Sequence, residues 1–283
     1  MSLLIEVDEL AEKLGEPSLR LIDARFSLQD INLGNQQYRD GHIPGAVYAD
    51  LEQDLSGTIA PGITGRHPLP DPVQFAKRLQ FWGISETTQV VVYDDGSHAM
   101  AARCWWLLEW AGLSSVRVLH GGFKAWVDAG LPLTRKIAKC DPSDYAFTPC
   151  YQRTVTAGDV LMLSQQSAAL LDARGLERYA GRSEPIDPVA GHIPGALCIP
   201  FTENMDVNNR FFSPDVLTER FRRFYSTADT GEYSRPVCYC GSGVTACHNI
   251  LAMRLAGLPW PTLYPGSWSE WITDPARPVA TGD

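Results

Sequence analysis

The sequence has no long apolar run and no basic start. A membrane-spanning helix needs about 18 uncharged apolar residues in a row. The longest candidate, Cys104 to Leu113, is interrupted by Glu109. The first nine residues carry three acidic side chains and no basic one, unlike a secretory signal. The sequence therefore predicts neither a membrane span nor a membrane partner.

Positive charge is also scarce. The 283 residues include 24 Lys and Arg against 33 Asp and Glu, a formal net charge of −9, and no run of basic residues occurs. A surface that follows a phosphate backbone is normally basic, so nucleic acid is not an expected partner. An anionic ligand would need a local cluster of cations that acts against the overall field.

Cysteine is present without the pattern of a disulfide framework. The seven cysteines are odd in number and scattered along the chain, which favours reduced thiols and a cytoplasmic location. Cys104, Cys198 and Cys238 lie in apolar segments, which is typical of buried structural cysteines.

The chain repeats itself. Four short motifs of the first half recur in the second, in the same order. They begin at residues 41 and 191, 21 and 170, 121 and 266, and 111 and 256, which gives offsets of 150, 149, 145 and 145. We therefore predict two copies of one domain, residues 1–138 and 154–283. The segment between them, residues 139–153, contains prolines and reads as a linker.

Within each copy, short apolar runs alternate with helical patterns. The predicted elements are strands at 19–22, 89–93, 168–171 and 236–239, and helices at 99–111 and 246–256. Gly112 and Gly257 follow the two helices as stop signals. The alternation predicts an α/β fold in which each domain is a mostly parallel sheet with helices on both faces. In such sheets the functional site lies beyond the carboxyl ends of the strands.

The two copies differ in the turn that follows the central strand. Aligning Tyr93 with Tyr239 places Asp94 opposite Cys240, so only the second copy has a nucleophile there. The glycine-rich turn Cys240-Gly-Ser-Gly-Val-Thr-Ala lets successive backbone N–H groups point at one centre, and the following helix adds its positive end. A thiol in that position should ionise more readily than a free thiol, whose pKa is about 8.5. Cys240 is the predicted nucleophile.

A metal site is the competing interpretation of this region. It would combine Cys238, Cys240, Cys247 and His248, but the spacing lacks the paired Cys-x₂-Cys geometry of such sites. We therefore predict no metal and no cofactor.

These motifs together resemble the two-domain rhodanese sulfurtransferases. The resemblance rests on the paired Gly-His-Ile-Pro-Gly-Ala motifs, the Asp-Ala-Arg strand ends, the Cys240 loop and the Gly-Ser-Trp-Ser-Glu-Trp segment near the C-terminus, and it covers nearly the whole chain. It implies tandem rhodanese-like domains, an inactive N-terminal domain, a catalytic C-terminal domain and a persulfide on the catalytic cysteine. The loop is similar to that of the 3-mercaptopyruvate sulfurtransferases, whereas thiosulfate-preferring members tend to carry cations directly after the cysteine.

The resemblance also implies binding residues. Within the loop they are Gly241, Gly243, Val244 and Thr245, and outside it Arg178 matches the arginine that binds the anionic group of the substrate. Arg182 is a candidate for a second arginine that binds this anionic group. Mercaptopyruvate enzymes place their second arginine after a proline-rich run, but residues 183–188 here (Ser-Glu-Pro-Ile-Asp-Pro) contain none.

A proton relay is implied in the same way. Ser242 would pass a proton to the leaving enolate, with His67 and Glu52 as partners, and Glu52 stands where family members carry Asp. Because His67 lies in the predicted first domain, residues 1–138, this role requires the two predicted domains to meet at the active site.

Several repeated residues occur in the copy without a nucleophile as well, which favours structural roles. They are His42 and His192, expected to fix the turn after a glycine, and Asp23 and Asp172, expected to anchor strand ends. The tryptophans at 105, 106, 110, 268 and 271 are expected to pack in the interior.

The predicted function is transfer of sulfur from 3-mercaptopyruvate, a small anionic donor, through a Cys240 persulfide to thioredoxin, a small thiol or cyanide. Thiosulfate as the donor is the nearest alternative. A Cys-x₅-Arg phosphatase is disfavoured because positions 241–249 contain no arginine. A non-catalytic sulfur carrier or regulatory module stays open.

Overall fold

The computed structural model describes residues 2–166, 169–227 and 233–283. The chain forms two compact units. Unit 1 comprises Met1–Gly57, Leu69–Cys150 and Val207–Arg210, and unit 2 comprises Thr58–Pro68, Tyr151–Asp206 and Phe211–Asp283. Each unit therefore includes a short segment from the other half of the sequence. Within the described ranges, no helix is both long enough and apolar enough to cross a bilayer.

Unit 1 is built on a five-stranded parallel sheet with the strand order β1-β5-β4-β2-β3. The strands are β1 (Leu4–Ile5), β2 (Leu19–Asp23), β3 (Ala46–Tyr48), β4 (Gln89–Tyr93) and β5 (Val116–Leu119). The helices are α1 (Val7–Lys13), α2 (Leu33–Asp40), α3 (Pro72–Phe81), α4 (Ala99–Trp110) and α5 (Gly122–Asp128). The central strands β2 and β4 are almost entirely buried, as parallel strands covered by helices must be.

Unit 2 repeats this plan with a four-stranded parallel sheet in the order β11-β10-β6-β7. Its strands are β6 (Leu170–Asp172), β7 (Leu197–Cys198), β10 (Val237–Tyr239) and β11 (Thr262–Leu263). A separate antiparallel pair consists of β8 (Ser226–Thr227) and β9 (Tyr233–Ser234). Its helices are α6 (Ala157–Ser164), α7 (Leu176–Tyr179), α8 (Pro214–Phe221), α9 (Thr245–Leu255) and α10 (Ser267–Trp271), with 3₁₀ turns at Tyr151–Arg153, Phe201–Asn204 and Arg222–Phe224. The predicted α/β class with parallel sheets in tandem is confirmed.

The predicted elements agree with the structure to within one or two residues. Strand β4 has the predicted bounds, and helices α4 and α9 are followed by Gly112 and Gly257 with φ of +90° and +73°. These are left-handed conformations that glycine adopts without strain. The predicted strand at 168–171 begins on Ala168, which lies outside the described residues.

An equivalent buried ion pair lies at the end of a central strand in each unit. Asp23 at the end of β2 accepts hydrogen bonds from Arg25, and Asp172 at the end of β6 accepts them from Arg174, both with a shortest distance of 2.6 Å. Arg25 and Arg174 also donate to the carbonyl oxygens of Gly41 and Gly191, at 2.8 and 2.7 Å. The strand end is thereby tied to the turn before the Gly-His-Ile-Pro motif in both copies.

The repeated histidines support the same turns. His42 stacks on Tyr38 and His192 on Tyr179, with ring centroids 3.9 and 3.8 Å apart. The Nδ1 atom of each histidine contacts the carbonyl oxygen of its tyrosine, at 2.6 and 2.8 Å. The five tryptophans singled out above are all buried, and Trp268 and Trp271 belong to the core of unit 2. These contacts fit the structural roles predicted for both sets.

Candidate active site

Cys240 lies directly after the central strand β10, at the carboxyl edge of the sheet in unit 2, and only 2% of its surface is exposed. Its backbone is fixed on both sides by the start of helix α10. The Cys240 N–H donates to Ser267 Oγ at 3.1 Å, and its carbonyl oxygen accepts from the Trp268 N–H at 2.9 Å. Both the N–H and the carbonyl group of Cys240 are therefore anchored by residues at the start of helix α10.

The turn after Cys240 places the backbone N–H of a glycine on the sulfur. The Gly243 N–H donates to Cys240 Sγ at 3.2 Å. Gly243 has a φ of +79°, and a Cβ there would run into the carbonyl oxygen of Pro265. Val244 caps helix α9, which starts at Thr245. The sulfur thus accepts a hydrogen bond from a backbone N–H, and a helix begins directly after the turn; both features favour negative charge.

Ser242 and His67 form a hydrogen-bonded pair beside the cysteine. His67 Nδ1 lies 2.7 Å from Ser242 Oγ, and both residues are buried. Although 175 residues separate them in sequence, His67 belongs to unit 2 because it lies on residues 58–68. A serine hydroxyl in contact with an imidazole can donate a proton and recover it from the ring.

Residues 58–68, called the arm below, are attached to unit 2 next to Cys240. The Arg66 N–H donates to Ser269 Oγ at 3.0 Å. A Cβ on Gly65 would lie 2.7 Å from Ser269 Oγ and would collide with the carbonyl oxygen of Gly266. Only glycine permits this close approach, so the arm has a fixed position on the first turn of α10.

The arm also brings a guanidinium group to the loop. A Cβ on Gly241 would lie 3.0 Å from Arg66 Nη2 and 3.4 Å from Arg178 Nη1, so two arginines cover the residue next to Cys240. Burial lowers the pKa of Arg66, and negative charge on Cys240 acts in the opposite direction. Arg178 was predicted from the sequence, and Arg66 was missed. The signal available for it was its place beside His67 in a Pro- and Gly-rich segment.

Two buried carboxylates hold these arginines together. Asp187 forms ion pairs with Arg66 Nη1 and, at 3.0 Å, with Arg178 Nη2. Glu184 contacts Arg178 at 2.8 Å. The side chains of Asp187 and Glu184 are both only 3% exposed. The segment that lacks the family arginine therefore supplies two acceptors that orient arginines from elsewhere.

The network continues to the strand end. Arg174 pairs with Asp172 at 2.6 Å and with Glu184 at 3.4 Å, and its guanidinium lies 4.9 Å from the ring centre of Trp268. The network therefore contains three arginines and three carboxylates, and its formal charge is zero. Its members are Arg66, Arg174, Arg178, Asp172, Glu184 and Asp187. The site therefore offers directed N–H donors without a formal excess of positive charge.

Two predicted residues have other partners. Arg182 is exposed and pairs with Glu177 at 3.0 Å and with Asp283 at 2.8 Å. Glu52 is an exposed residue of unit 1, and its N–H donates to Asp50 Oδ1 at 2.9 Å. The roles assigned to both stay predictions.

Unit 1 has an aspartate in place of the nucleophile. The Asp94 carboxylate accepts hydrogen bonds from four backbone N–H groups of its own turn and the following helix, those of Gly96, His98, Met100 and Ala101, at 2.9 to 3.2 Å. Burial raises the pKa of Asp94 to about 7, while these N–H groups act in the opposite direction. The turn that faces sulfur in unit 2 is thus filled by a side chain of its own in unit 1.

Burial disfavours the thiolate form of three other cysteines. Burial raises the pKa of Cys104 and Cys238 far above the usual range, and that of Cys198 to about 11. All seven cysteines lie in the described part of the chain, and each is a free thiol. Across the described ranges, no group of three or more His, Cys, Asp or Glu side chains is placed to hold a metal ion.

Comparison with known proteins identifies the fold family. The model of the rhodanese-like domain matches residues 6–129 and again residues 157–274. The chain belongs to the rhodanese family. Its two rhodanese-like domains carry the motifs that repeat in the sequence, and the Cys240 loop lies in the second of them.

Rhodanese relatives match nearly the full length. A probable 3-mercaptopyruvate sulfurtransferase of Pseudomonas aeruginosa is 51% identical over 282 residues, which is 99% of this chain and 98% of that protein. A putative thiosulfate sulfurtransferase of Mycobacterium tuberculosis is 37% identical over 285 residues, covering 99% of this chain and 97% of the relative. The crystal structure of SseA from Escherichia coli, described with the rhodanese fold and the mechanism of 3-mercaptopyruvate sulfotransferases, has a TM-score of 0.82 at 32% identity. That match covers 95% of this chain and all of the other.

Proposed function

We propose that this rhodanese transfers sulfur from 3-mercaptopyruvate through a persulfide on Cys240. The observation that carries the proposal is the 2.7 Å contact of Ser242 with His67 beside the nucleophile. Loss of sulfur from mercaptopyruvate leaves an enolate, which must take up a proton, whereas sulfite leaves thiosulfate as a stable anion. A proton donor next to the sulfur therefore serves the first donor much more than the second.

The reaction proceeds in two displacements. The Cys240 thiolate attacks the sulfur of mercaptopyruvate, the carbon–sulfur bond breaks, and its electron pair leaves with the pyruvate enolate. Ser242 donates a proton to the enolate carbon and regains one from His67. Cys240 is then a persulfide, stabilised by the Gly243 N–H and the N-terminus of helix α9.

An acceptor completes the cycle. A thiolate or cyanide attacks the outer sulfur of the persulfide and releases Cys240 as a thiolate. Thioredoxin, a small thiol and cyanide are the acceptors that we propose, in a cytoplasm where the seven thiols stay reduced. Arg178 binds the anionic group of the donor, while Gly241, Gly243, Val244 and Thr245 form the wall of the site.

Thiosulfate is the second candidate donor. The relative of Mycobacterium tuberculosis carries that activity in its name. In addition, Arg66 and Arg178 place two guanidinium groups over Gly241, so N–H donors are present there although the loop itself has no cation.

The decisive experiment compares kcat/KM for 3-mercaptopyruvate and for thiosulfate, with cyanide as the common acceptor and Cys240→Ser as the blank. We expect a preference for mercaptopyruvate of at least about tenfold, which corresponds to about 1.4 kcal/mol of transition-state stabilisation. A preference for thiosulfate would overturn the donor assignment. Turnover of neither donor would indicate a sulfur carrier that another enzyme loads.

A further inference from the structure

A cavity of about 860 Å³ lies in unit 1 at the amino ends of strands β2 and β3. Its walls come from the segment before and into β2, residues 14–21, from the turn Pro44-Gly45 before β3, and from residues 136–141. Every lining residue belongs to unit 1, whereas Cys240 belongs to unit 2. The volume lies within the range of small-molecule sites, roughly 300–1,000 Å³.

We propose that this cavity binds an organic monoanion with an aliphatic body, a medium-length acyl carboxylate. Arg20, Lys136 and Lys139 bind the carboxylate group, and the aliphatic side chains of the lining contact the chain. This binding site is separate from the residues that carry sulfur transfer.

One wall of the cavity is a segment attached at both ends. The backbones of His42 and Thr134 exchange two hydrogen bonds, at 3.0 and 2.9 Å. Farther along, the Ser143 N–H donates to the carbonyl oxygen of Gln80 at 3.0 Å. Residues 136–141 lie between these attachments and line the cavity. The cavity is therefore formed before a ligand binds, which reduces the entropic cost of binding.

The charges of the lining favour one negative charge. Three cations, Arg20, Lys136 and Lys139, stand against two carboxylates, Glu16 and Asp141. The local excess is one positive charge, on a chain whose net charge is −9. Such a local reversal of sign attracts an anion, and its size matches a monoanion better than a dianion.

Arg20 is the best-positioned of the three cations. Its Nη1 donates to the carbonyl oxygens of Pro17 and Leu19, at 3.0 and 2.9 Å, which fixes the side chain at the start of β2. Its Nε is buried, and within the described part of the chain no acceptor forms a hydrogen bond with it. A buried N–H donor without an acceptor is unfavourable, so a ligand carboxylate at Arg20 would gain a charge-assisted hydrogen bond.

The apolar part of the lining is aliphatic. Its members are Leu14, Pro17, Leu19, Leu21, Pro44 and Ile137. Among the residues that the structure describes, no aromatic side chain lines the cavity. Ile137 is 53% exposed, so a ligand chain packed against it would remove apolar surface from water. An acyl chain fits this lining better than a flat ring that stacks on aromatic side chains.

The first test is calorimetry on the full chain with octanoate and with octylammonium, which has the same chain length and the opposite charge. We expect octanoate to bind with a Kd of about 1 mM or below, and octylammonium to bind at least about tenfold more weakly. No binding of octanoate would overturn the proposal. Equal affinity for the two probes would mean that the chain alone is recognised and that the assignment of an anion site is wrong.

A pair of double variants separates the cavity from the overall charge. Lys136→Gln with Lys139→Gln removes two exposed cations of the lining and should weaken octanoate binding by about fivefold or more. Lys77→Gln with Lys124→Gln removes two exposed lysines elsewhere in unit 1 and gives the same net charge. It should bind octanoate as the parent protein does. Equal losses in both double variants would contradict the site.

A thiol in the lining reports where the ligand binds. Cys140 is half-buried and lines the cavity, whereas Cys150 is half-buried and does not. Saturating octanoate should slow the alkylation of Cys140 by iodoacetamide severalfold and leave that of Cys150 unchanged, as followed by mass spectrometry of the two peptides. If octanoate binds but Cys140 is not protected relative to Cys150, the ligand occupies another site and the inference is wrong.

Discussion

At the scale of single residues, Cys240 and Ser242, the proposed nucleophile and the proposed proton donor, are held by different kinds of contact. Cys240 is controlled by backbone groups, namely the Gly243 N–H and the contacts of its own peptide with helix α10. Ser242 is controlled by a side chain, His67, which arrives on the arm. Variants of the two parts should therefore have different consequences for the two donors.

Ser242→Ala removes the hydroxyl and leaves the thiol in place. We expect kcat for mercaptopyruvate to fall by about 10²–10⁴, the usual contribution of a positioned general acid. Thiosulfate turnover should change only severalfold, because sulfite needs no proton to leave. Steady-state kinetics with cyanide as the acceptor measure both values, and His67→Gln should follow the same pattern. Equal losses with both donors would mean that Ser242 shapes the loop and does not transfer a proton.

At the scale of elements, the arm is the feature that completes the site. It supplies both Arg66 and His67, and its attachment depends on the contact of Gly65 with helix α10. Unit 1 has a counterpart of Arg66. It is Arg210, which lies 144 residues later in the sequence and belongs to unit 1, where its Nη1 would lie 3.5 Å from a Cβ on Gly121. The two side chains reach different turns, since Arg210 lies beside the turn that starts helix α5 and Arg66 lies beside the turn before helix α9.

Gly65→Ala should detach the arm without touching the nucleophile. The added Cβ meets the backbone of Gly266 and the hydroxyl of Ser269, and overpacking of this kind costs about 1–3 kcal/mol. We expect a loss of mercaptopyruvate turnover at least as large as that of His67→Gln. Cys240 should still be alkylated by iodoacetamide.

Gly158→Ala is the control for that variant. It adds a Cβ at the first turn of helix α6, where the nearest atom is 3.7 Å away, an ordinary contact. It should leave turnover unchanged. If Gly65→Ala were as active as Gly158→Ala, the arm would not depend on this contact.

At the scale of the whole molecule, the two units have the same fold but carry different residues in the equivalent turn. Unit 2 presents a cysteine to the backbone N–H groups, and unit 1 presents Asp94, whose carboxylate occupies them. A filled turn has no space for a substrate or a sulfur adduct. This is a physical argument for the prediction that the first copy is catalytically inactive.

The titration of Asp94 can be measured as a contribution to stability. Burial raises its pKa to about 7, whereas an unfolded chain releases this proton at a pKa of about 3.9. The folded state therefore binds the proton more tightly, and the contribution of Asp94 to the free energy of unfolding should fall as the pH rises from about 4 to about 7. Urea unfolding at several pH values measures the free energy of unfolding of the parent protein and of Asp94→Asn. The parent value minus the variant value should fall by up to about 4 kcal/mol over that interval.

Asp128→Asn, at an exposed ion pair with Lys124, should show no such trend and serves as the control. A flat difference for Asp94→Asn would mean that the four backbone N–H groups outweigh burial and keep the carboxylate ionised.

Much of this organisation follows from local sequence. Strand bounds such as Gln89–Tyr93, and the helices that precede Gly112 and Gly257, depend on apolar periodicity and on backbone conformations that neighbouring residues dictate. The repeat revealed the two domains, and the comparison of its two copies singled out Cys240. Family resemblance supplied Arg178, Ser242 and His67 as candidates.

The tertiary structure decided what no local pattern encodes. Arg66 and Asp187 are 121 residues apart in sequence, and nothing near either one indicates the other. Their contact exists because the arm packs on helix α10 and because the segment after Arg178 turns two carboxylates inward. The sequence alone determined the fold and the repeat and singled out Cys240 as the candidate nucleophile, because these depend on neighbours along the chain. The charge balance around the nucleophile depends on neighbours in space, and only folding brings those together.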